Sequence, residues 1–170
     1  ALEPEKHIDR LLLAFQKIQK DDRVLLIVGD GSERVALEQL AGQCELKNVV
    51  FTGARVDDVS IFFLMADLFV LPGLGGLAIQ QAMAHGLPVI TVPADGTETD
   101  LIHNGENGYI VSDGDDVDTI ASHMDHILSD TDLRDQMSRY AHDLVASSFN
   151  IKTMMDAVEK AIHHVVPVDS

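Results

Sequence analysis

"DLFVLPGLGGLAIQQAMAHGLPVITVP", residues 67–93, sets two apolar runs on either side of a glycine-rich turn and a stretch of helical character. The runs "DLFVLP" (67–72) and "PVITVP" (88–93) are apolar on consecutive residues instead of alternating, the pattern of strands covered on both faces by helices. Pro72 stops the first ladder, Gly73, Gly75 and Gly76 allow tight backbone, and "LAIQQAMAH" starts a helix.

The same strand-then-helix unit recurs outward from this stretch. "RVLLIVG" (23–29) and "NVVFTG" (48–53) lie upstream, and "NGYIV" (107–111) lies downstream. Helices are expected near 33–44, 56–66, 76–85, 97–103, 117–129, 132–147 and 151–166. An earlier one carries Ile8, Leu11, Leu12, Phe15 and Ile18 on one face, with Pro4 in its first turn. Short connections make a doubly wound, mostly parallel α/β sheet of Rossmann-like form the economical topology. The last three helices follow one another without strands and are expected to pack on an edge or against a neighbour. The first helix begins almost at residue 1, where a strand should feed it, so the domain reads as truncated at its N-terminal edge. One domain is expected over 1–166, with 167–170 as a tail.

The 170 residues and 46% hydrophobic content suffice for one packed core. No uninterrupted apolar run reaches the roughly 18 residues of a membrane span, and "ALEPEKHIDR" has no signal-peptide layout. A cytosolic location is expected. The single cysteine, Cys44, excludes an internal disulfide and a cysteine-based metal cluster. The net charge of −16, twelve basic residues against twenty-eight acidic ones, argues against a nucleic-acid partner. It does not exclude a small anion, because charges beyond roughly 8 Å are screened at physiological salt.

The first turn of the helix after Pro72 exposes backbone N–H groups at the positive end of its dipole, an anion site suited to phosphate. The alternative is that the glycines only let helix and strand pack closely. "VGDG" (28–31) puts Gly29 and Gly31 where doubly wound sheets bind ligands, but no third glycine follows to make a dinucleotide fingerprint.

Five segments in order, "VGDGSERVALEQLA", "VVFTGARVDDVSIFFLMADLFVLPG", "LAIQQAMAHGLPVI", "LIHNGENGYIV" and "DLRDQMSRYAHDLVASSFNIKT", resemble the C-terminal half of family 4 (group 1) retaining glycosyltransferases of GT-B architecture. The resemblance runs from about residue 2 to 155. It implies transfer of a sugar from a nucleoside diphosphate sugar, UDP- or GDP-linked, without a metal or other cofactor. The acceptor would be held by an N-terminal domain outside this chain. Peripheral association of the full-length protein with the inner face of the membrane would fit.

By the same resemblance, Lys6 is the diphosphate lysine and the catalytic candidate, while its arginine companion falls on Ala1. Without it, Lys6 is a solvated lysine in a charged turn. The family's two glutamates fall on Gly73 and Gln81: glycine offers only an amide to the donor sugar, whereas Gln81 can still accept from ribose hydroxyls. Gly75, Gly76, Leu77 and Ala78 match the amides that face the diphosphate and sugar. "FTGARV" matches the loop that reads the base, through Gly53, Arg55 and Val56, and Arg55 could equally be a solvated loop residue. In "DGTETD" (95–100), Thr97 and Glu98 are candidates for sugar hydroxyls, with Glu98 equally a cap for the next helix. The lost glutamates admit two alternatives: a non-catalytic nucleotide-sugar-binding or scaffold module, and a GT-B nucleotide-sugar epimerase.

Other constellations carry no function. His123 and His126 with Asp130 read as a solvent-facing helical set and not a metal site. Adjacent His163 and His164 point to different faces. Met124, Met137, Met154 and Met155 read as helix core filler.

Overall fold

The computed structural model describes residues 1–55, 57–112, 116–149, 153, 155 and 158–162. Five parallel strands, β1 (Leu25–Val28), β2 (Val49–Gly53), β3 (Phe69–Leu71), β4 (Val89–Thr91) and β5 (Gly108–Ile110), are separated by helices. These helices are α1 (Ile8–Ile18), α2 (Arg34–Gln43), α3 (Val59–Met65), α4 (Gly76–Ala84), α5 (Thr97–Leu101), α6 (Val117–Ser129) and α7 (Thr131–Ser148). The ladders form two sheets, β1 with β2 and β3 with β4 and β5, and no pairing joins β1 to β3 among the described residues. The expected single sheet is therefore divided between β1 and β3 among the described residues.

Neighbouring side chains on the central strands enter different cores, as two-sided burial requires. Ile90 packs with Leu11, Phe15, Met124 and Ile127 under α1 and α6, while Val89 packs with Ile79, Met83, Ala141 and Val145 under α4 and α7. All three residues of β4 are buried. A third cluster joins Leu2 and Leu12 to Ile27, Leu37 and Ala41 around β1 and α2. Coverage is thinner on the other side of β1. Only Ile27 of that strand is buried, and α3 next to it has no buried residue, leaving Ile61, Leu64 and Met65 exposed.

Several sequence expectations change. Pro4 does not open α1. It starts a separate 3₁₀ turn, Pro4–Lys6, after which His7 in the left-handed region (φ 51°) redirects the chain into the helix. The helices expected at 56–66 and 97–103 are shorter. α6 and α7 pack on this domain, α6 against α1 and α7 against α4. Met124 and Met137 are buried, but Met155 is exposed. Met154, His163, His164 and the tail at 167–170 lie outside the described residues, as does most of the helix expected at 151–166.

The turn from α5 to β5 shows why "HNGENG" is legible. Asn107 is fully buried, accepts from His103 N at 2.8 Å and donates to Leu101 O at 2.9 Å, so one side chain closes the turn from inside. Behind it Gly108 is obligatory, since a Cβ there would lie 1.9 Å from Val89 O.

Candidate functional site

The loops at the carboxyl ends of β1 and β3 are bridged by residues 2–6. Leu2, only 4% exposed, donates its amide to Asp30 O at 2.9 Å and accepts from Glu33 N at 3.1 Å. Three residues on, Glu5 O accepts from Leu74 N at 2.9 Å, and the Lys6 ammonium donates to Leu74 O. Ser32 Oγ holds the Glu3 carboxylate at 2.7 Å. The N-terminal segment is thus laced to both loops.

This lacing accounts for two of the glycines. A Cβ on Gly31 would sit 2.4 Å from Leu2 O, and one on Gly73 would sit 2.2 Å from Glu5 O, both backbone atoms that cannot swing away. Gly31 and Gly73 therefore make room for the chain's own backbone. Their neighbours face differently. Gly75 is the residue before α4, with no side-chain cap. Leu74 N and Ala78 N are engaged, the latter by Gly75 O at 3.0 Å, whereas Gly75 N, Gly76 N and Leu77 N have no hydrogen-bond partner among the described residues. Ala78 thus leaves the set of four amides expected from the sequence, and three remain.

Around these amides stand the other groups. The Lys6 ammonium lies 3.4 Å from where a Gly75 Cβ would be, and Thr97 Oγ1 lies 2.4 Å from where a Gly76 Cβ would be, so a cation and a hydroxyl both overhang the start of α4. Thr97 is itself held by Asp95, whose Oδ1 accepts from its hydroxyl at 2.5 Å and from its amide at 3.1 Å. Those bonds, the hydroxyl's first, keep the exposed Asp95 carboxyl below its ordinary range and ionised at neutral pH. Glu98 is placed inward: 3% exposed, it accepts from Ala94 N at 2.8 Å and Gly96 N at 3.1 Å, which holds the loop rather than presenting a carboxylate to the crevice. Gln81 is exposed one turn beyond Leu77 on α4.

At the β1–β2 end, Gly29 N is bonded to Gly53 O at 3.1 Å, and Gly31 N to Asp30 Oδ1 at 2.9 Å, so neither amide is open. Arg55 is 3.5 Å from Asp58 and 5.8 Å above the Phe62 ring. Val56 lies outside the described residues. Unforeseen from sequence is Arg34, which lies against Gly53 and is gripped by Glu38 at 2.9 Å and Asp30 at 3.1 Å. Those partners, Glu38 above all, raise its pKa further. The only signal for it was its i−4 and i+4 spacing to two acids.

A hollow of about 370 Å³ lies at the other end of α1, lined by Lys17, Lys20, Asp118 and Asp125, whose charges are paired with each other. Among the described residues no group of three His, Cys, Asp or Glu is placed to hold a metal. His123, expected to face solvent, is half-buried and stacked on Tyr109 with ring centroids 3.9 Å apart. No helix among the described residues is long and apolar enough to cross a membrane.

Parallel strands between helix layers, with open amides, an ammonium and a hydroxyl at their carboxyl ends, define an α/β domain of Rossmann-like form whose α4 start leaves donors open. The model of the family "Glycosyl transferases group 1" matches residues 1–144, and the chain belongs to that glycosyltransferase family. A lipopolysaccharide core biosynthesis glycosyltransferase, LpsE of Rhizobium meliloti, is 29% identical over 136 residues, 78% of this chain and 39% of that protein. A GDP-mannose-dependent alpha-mannosyltransferase of Mycolicibacterium smegmatis is 37% identical over 114 residues, 65% of this chain and 28% of that protein. The crystal structure of Anabaena HepE with UDP and glucose superposes with a TM-score of 0.84 at 23% identity, covering 95% of this chain and 45% of that one. The fold is that of GT-B glycosyltransferases, and the chain spans less than half the length of these relatives.

Proposed function

We propose that the chain is the donor-binding half of a retaining glycosyltransferase that moves a sugar from a nucleoside diphosphate sugar, UDP- or GDP-linked, to an acceptor held by a preceding N-terminal domain. The observation that carries this is the convergence of three unpartnered amides, Gly75, Gly76 and Leu77, with the Lys6 ammonium. Family membership, a GDP-mannose-dependent relative and a UDP-holding structural neighbour support it.

The chemistry follows from where charge develops. As the bond from the anomeric carbon to the diphosphate oxygen breaks, its electron pair stays on the leaving group, and preoriented amides plus an ammonium stabilise that charge more than they stabilise the ground state. Leu74 O holds Lys6 over the turn, which spares the reaction the reorganisation of a free side chain. The nucleoside lies toward Gly53 and Arg55, and the ribose toward Gln81. A domain spanning 1–166 would be completed by an upstream strand between β1 and β3, a placement supported by the half-buried β1 and the uncovered α3. Work at the cytoplasmic face of the membrane belongs to the same proposal, and no helix among the described residues is long and apolar enough to cross one.

Calorimetric titration with UDP, GDP and ADP tests the site: weak binding of at least one is expected, and no heat at millimolar ligand removes it. The filled space at Gly73 favours one second reading, a nucleotide-sugar-binding module without turnover. Release of nucleoside diphosphate by the full-length protein above background decides for the enzyme.

A further inference from the structure

A carboxylate cannot stand at position 73, because the Glu5–Lys6 backbone occupies the space that any side chain there would need. A sugar bound over the start of α4 would still present hydroxyls, and burying them without partners is costly. The polar side chains nearest that start, besides Lys6, come from the β4–α5 loop. Thr97 Oγ1 lies against Gly76, and Asp95 lies behind it, exposed and bonded to both the hydroxyl and the amide of Thr97.

We infer that Asp95, acting with Thr97, is the anionic acceptor that fixes the hydroxyls of the donor sugar, in the place of a carboxylate on the glycine-rich turn. The inference rests on the proposed donor site and goes beyond it by naming the group that separates sugar recognition from diphosphate recognition. Thr97 spends its own proton on Asp95, so the hydroxyl oxygen offers only lone pairs outward. An ionised carboxylate has about four lone-pair sites, and Thr97 takes two of them. Both groups therefore accept, and both suit a ligand rich in O–H donors. A phosphate, which has no such donors when ionised, gains nothing from them. That asymmetry gives the pair a readable signature.

Glu98 supports the arrangement without joining it. Its buried carboxylate ties down the amides of Ala94 and Gly96 on both sides of Asp95, which fixes the loop against the start of α4. Thr99 Oγ1 adds a bond to Gly96 O at 2.7 Å. Asp95 is thus presented on a rigid turn.

The test compares Asp95→Asn with the unaltered chain, using UDP and GDP in one arm and their hexose conjugates in the other. Asparagine retains a carbonyl oxygen for the Thr97 hydroxyl and amide, and exchanges the charge and the second acceptor oxygen for an NH2 donor. The expected result is roughly tenfold weaker binding of the conjugates, with UDP and GDP unchanged within about twofold. Thr97→Val, which removes the hydroxyl while keeping the side-chain shape, is expected to give the same split, and melting curves of both variants confirm folding. Equal losses in both arms, or none in either, overturn the role of Asp95 while leaving the donor site standing. Failure of the unaltered chain to bind UDP or GDP removes the donor site itself, and Asp95's role with it.

Discussion

α4 and the pair α6 and α7 meet the same chemical need in opposite ways. Any helix leaves its first N–H groups without internal partners. α6 and α7 answer with carboxylates: Asp116 accepts from Thr119 N at 2.9 Å, and Asp130 from Leu133 N at 3.0 Å. α4 begins at a glycine with no cap, and three consecutive amides stay open beneath an ammonium. Among buried side-chain nitrogens and oxygens of the described residues, none lacks a partner. The starts of α1, α2, α3 and α5 also lack a side-chain cap, so what distinguishes α4 is the ammonium and hydroxyl gathered over its open amides, as the proposed diphosphate seat requires. A cap would fill the donors that the ligand needs.

Breaking the α4 side should have the largest effect. Gly73→Ala puts a methyl group against the Glu5 carbonyl and unseats residues 2–6, destabilising by about 1–3 kcal/mol and abolishing nucleoside diphosphate binding. Urea melts and calorimetry read the two losses together, and a variant of unchanged stability would refute the lacing. Lys6→Met should leave the melt nearly unaltered and weaken diphosphate affinity roughly tenfold; unchanged affinity would remove the ammonium from the site.

The other side of the contrast predicts the reverse. Asp116→Ala and Asp130→Ala should each lower Tm by roughly 2–4 °C with nucleotide affinity untouched, whereas a loss of affinity would show that those starts are not purely structural.

The smallest effect comes from pH. Burial first, then the nearby His126, hold the His123 pKa below its ordinary value of 6.5. The folded chain therefore binds fewer protons here than the unfolded chain. This contribution to stability is whole above the unfolded value and declines as pH falls below it toward the folded one. His123→Gln should flatten the fall in Tm between about pH 7.5 and 5; an identical slope in both proteins would assign the fall to other groups.

Much of the fold was readable because it rests on periodicity. The buried face of α1, the five strands and the alternation of helices follow from apolar spacing that local sequence carries. Pro4 misled because proline favours any first turn, and whether that turn continues depends on His7, whose left-handed backbone no proline rule anticipates. The division into two sheets was hidden, since apolar runs announce strands without announcing partners. At the site, the glycine turn was visible but its cause was half wrong: Gly31 and Gly73 yield to the chain's own returning backbone, a contact set by tertiary path. Asp95 escaped notice because a single aspartate before glycine reads as an ordinary turn residue. Its relation to Thr97 was legible in "DGT", its position over Gly76 was not.

The most direct test follows the backbone amides of a ¹⁵N-labelled chain while UDP or GDP is added. The signals of Gly75, Gly76 and Leu77 should move together and saturate with the calorimetric affinity, while those of Thr119 and Leu133, held by aspartate caps, stay fixed. Saturable binding that leaves the three α4 signals in place would contradict an anion seat at this turn.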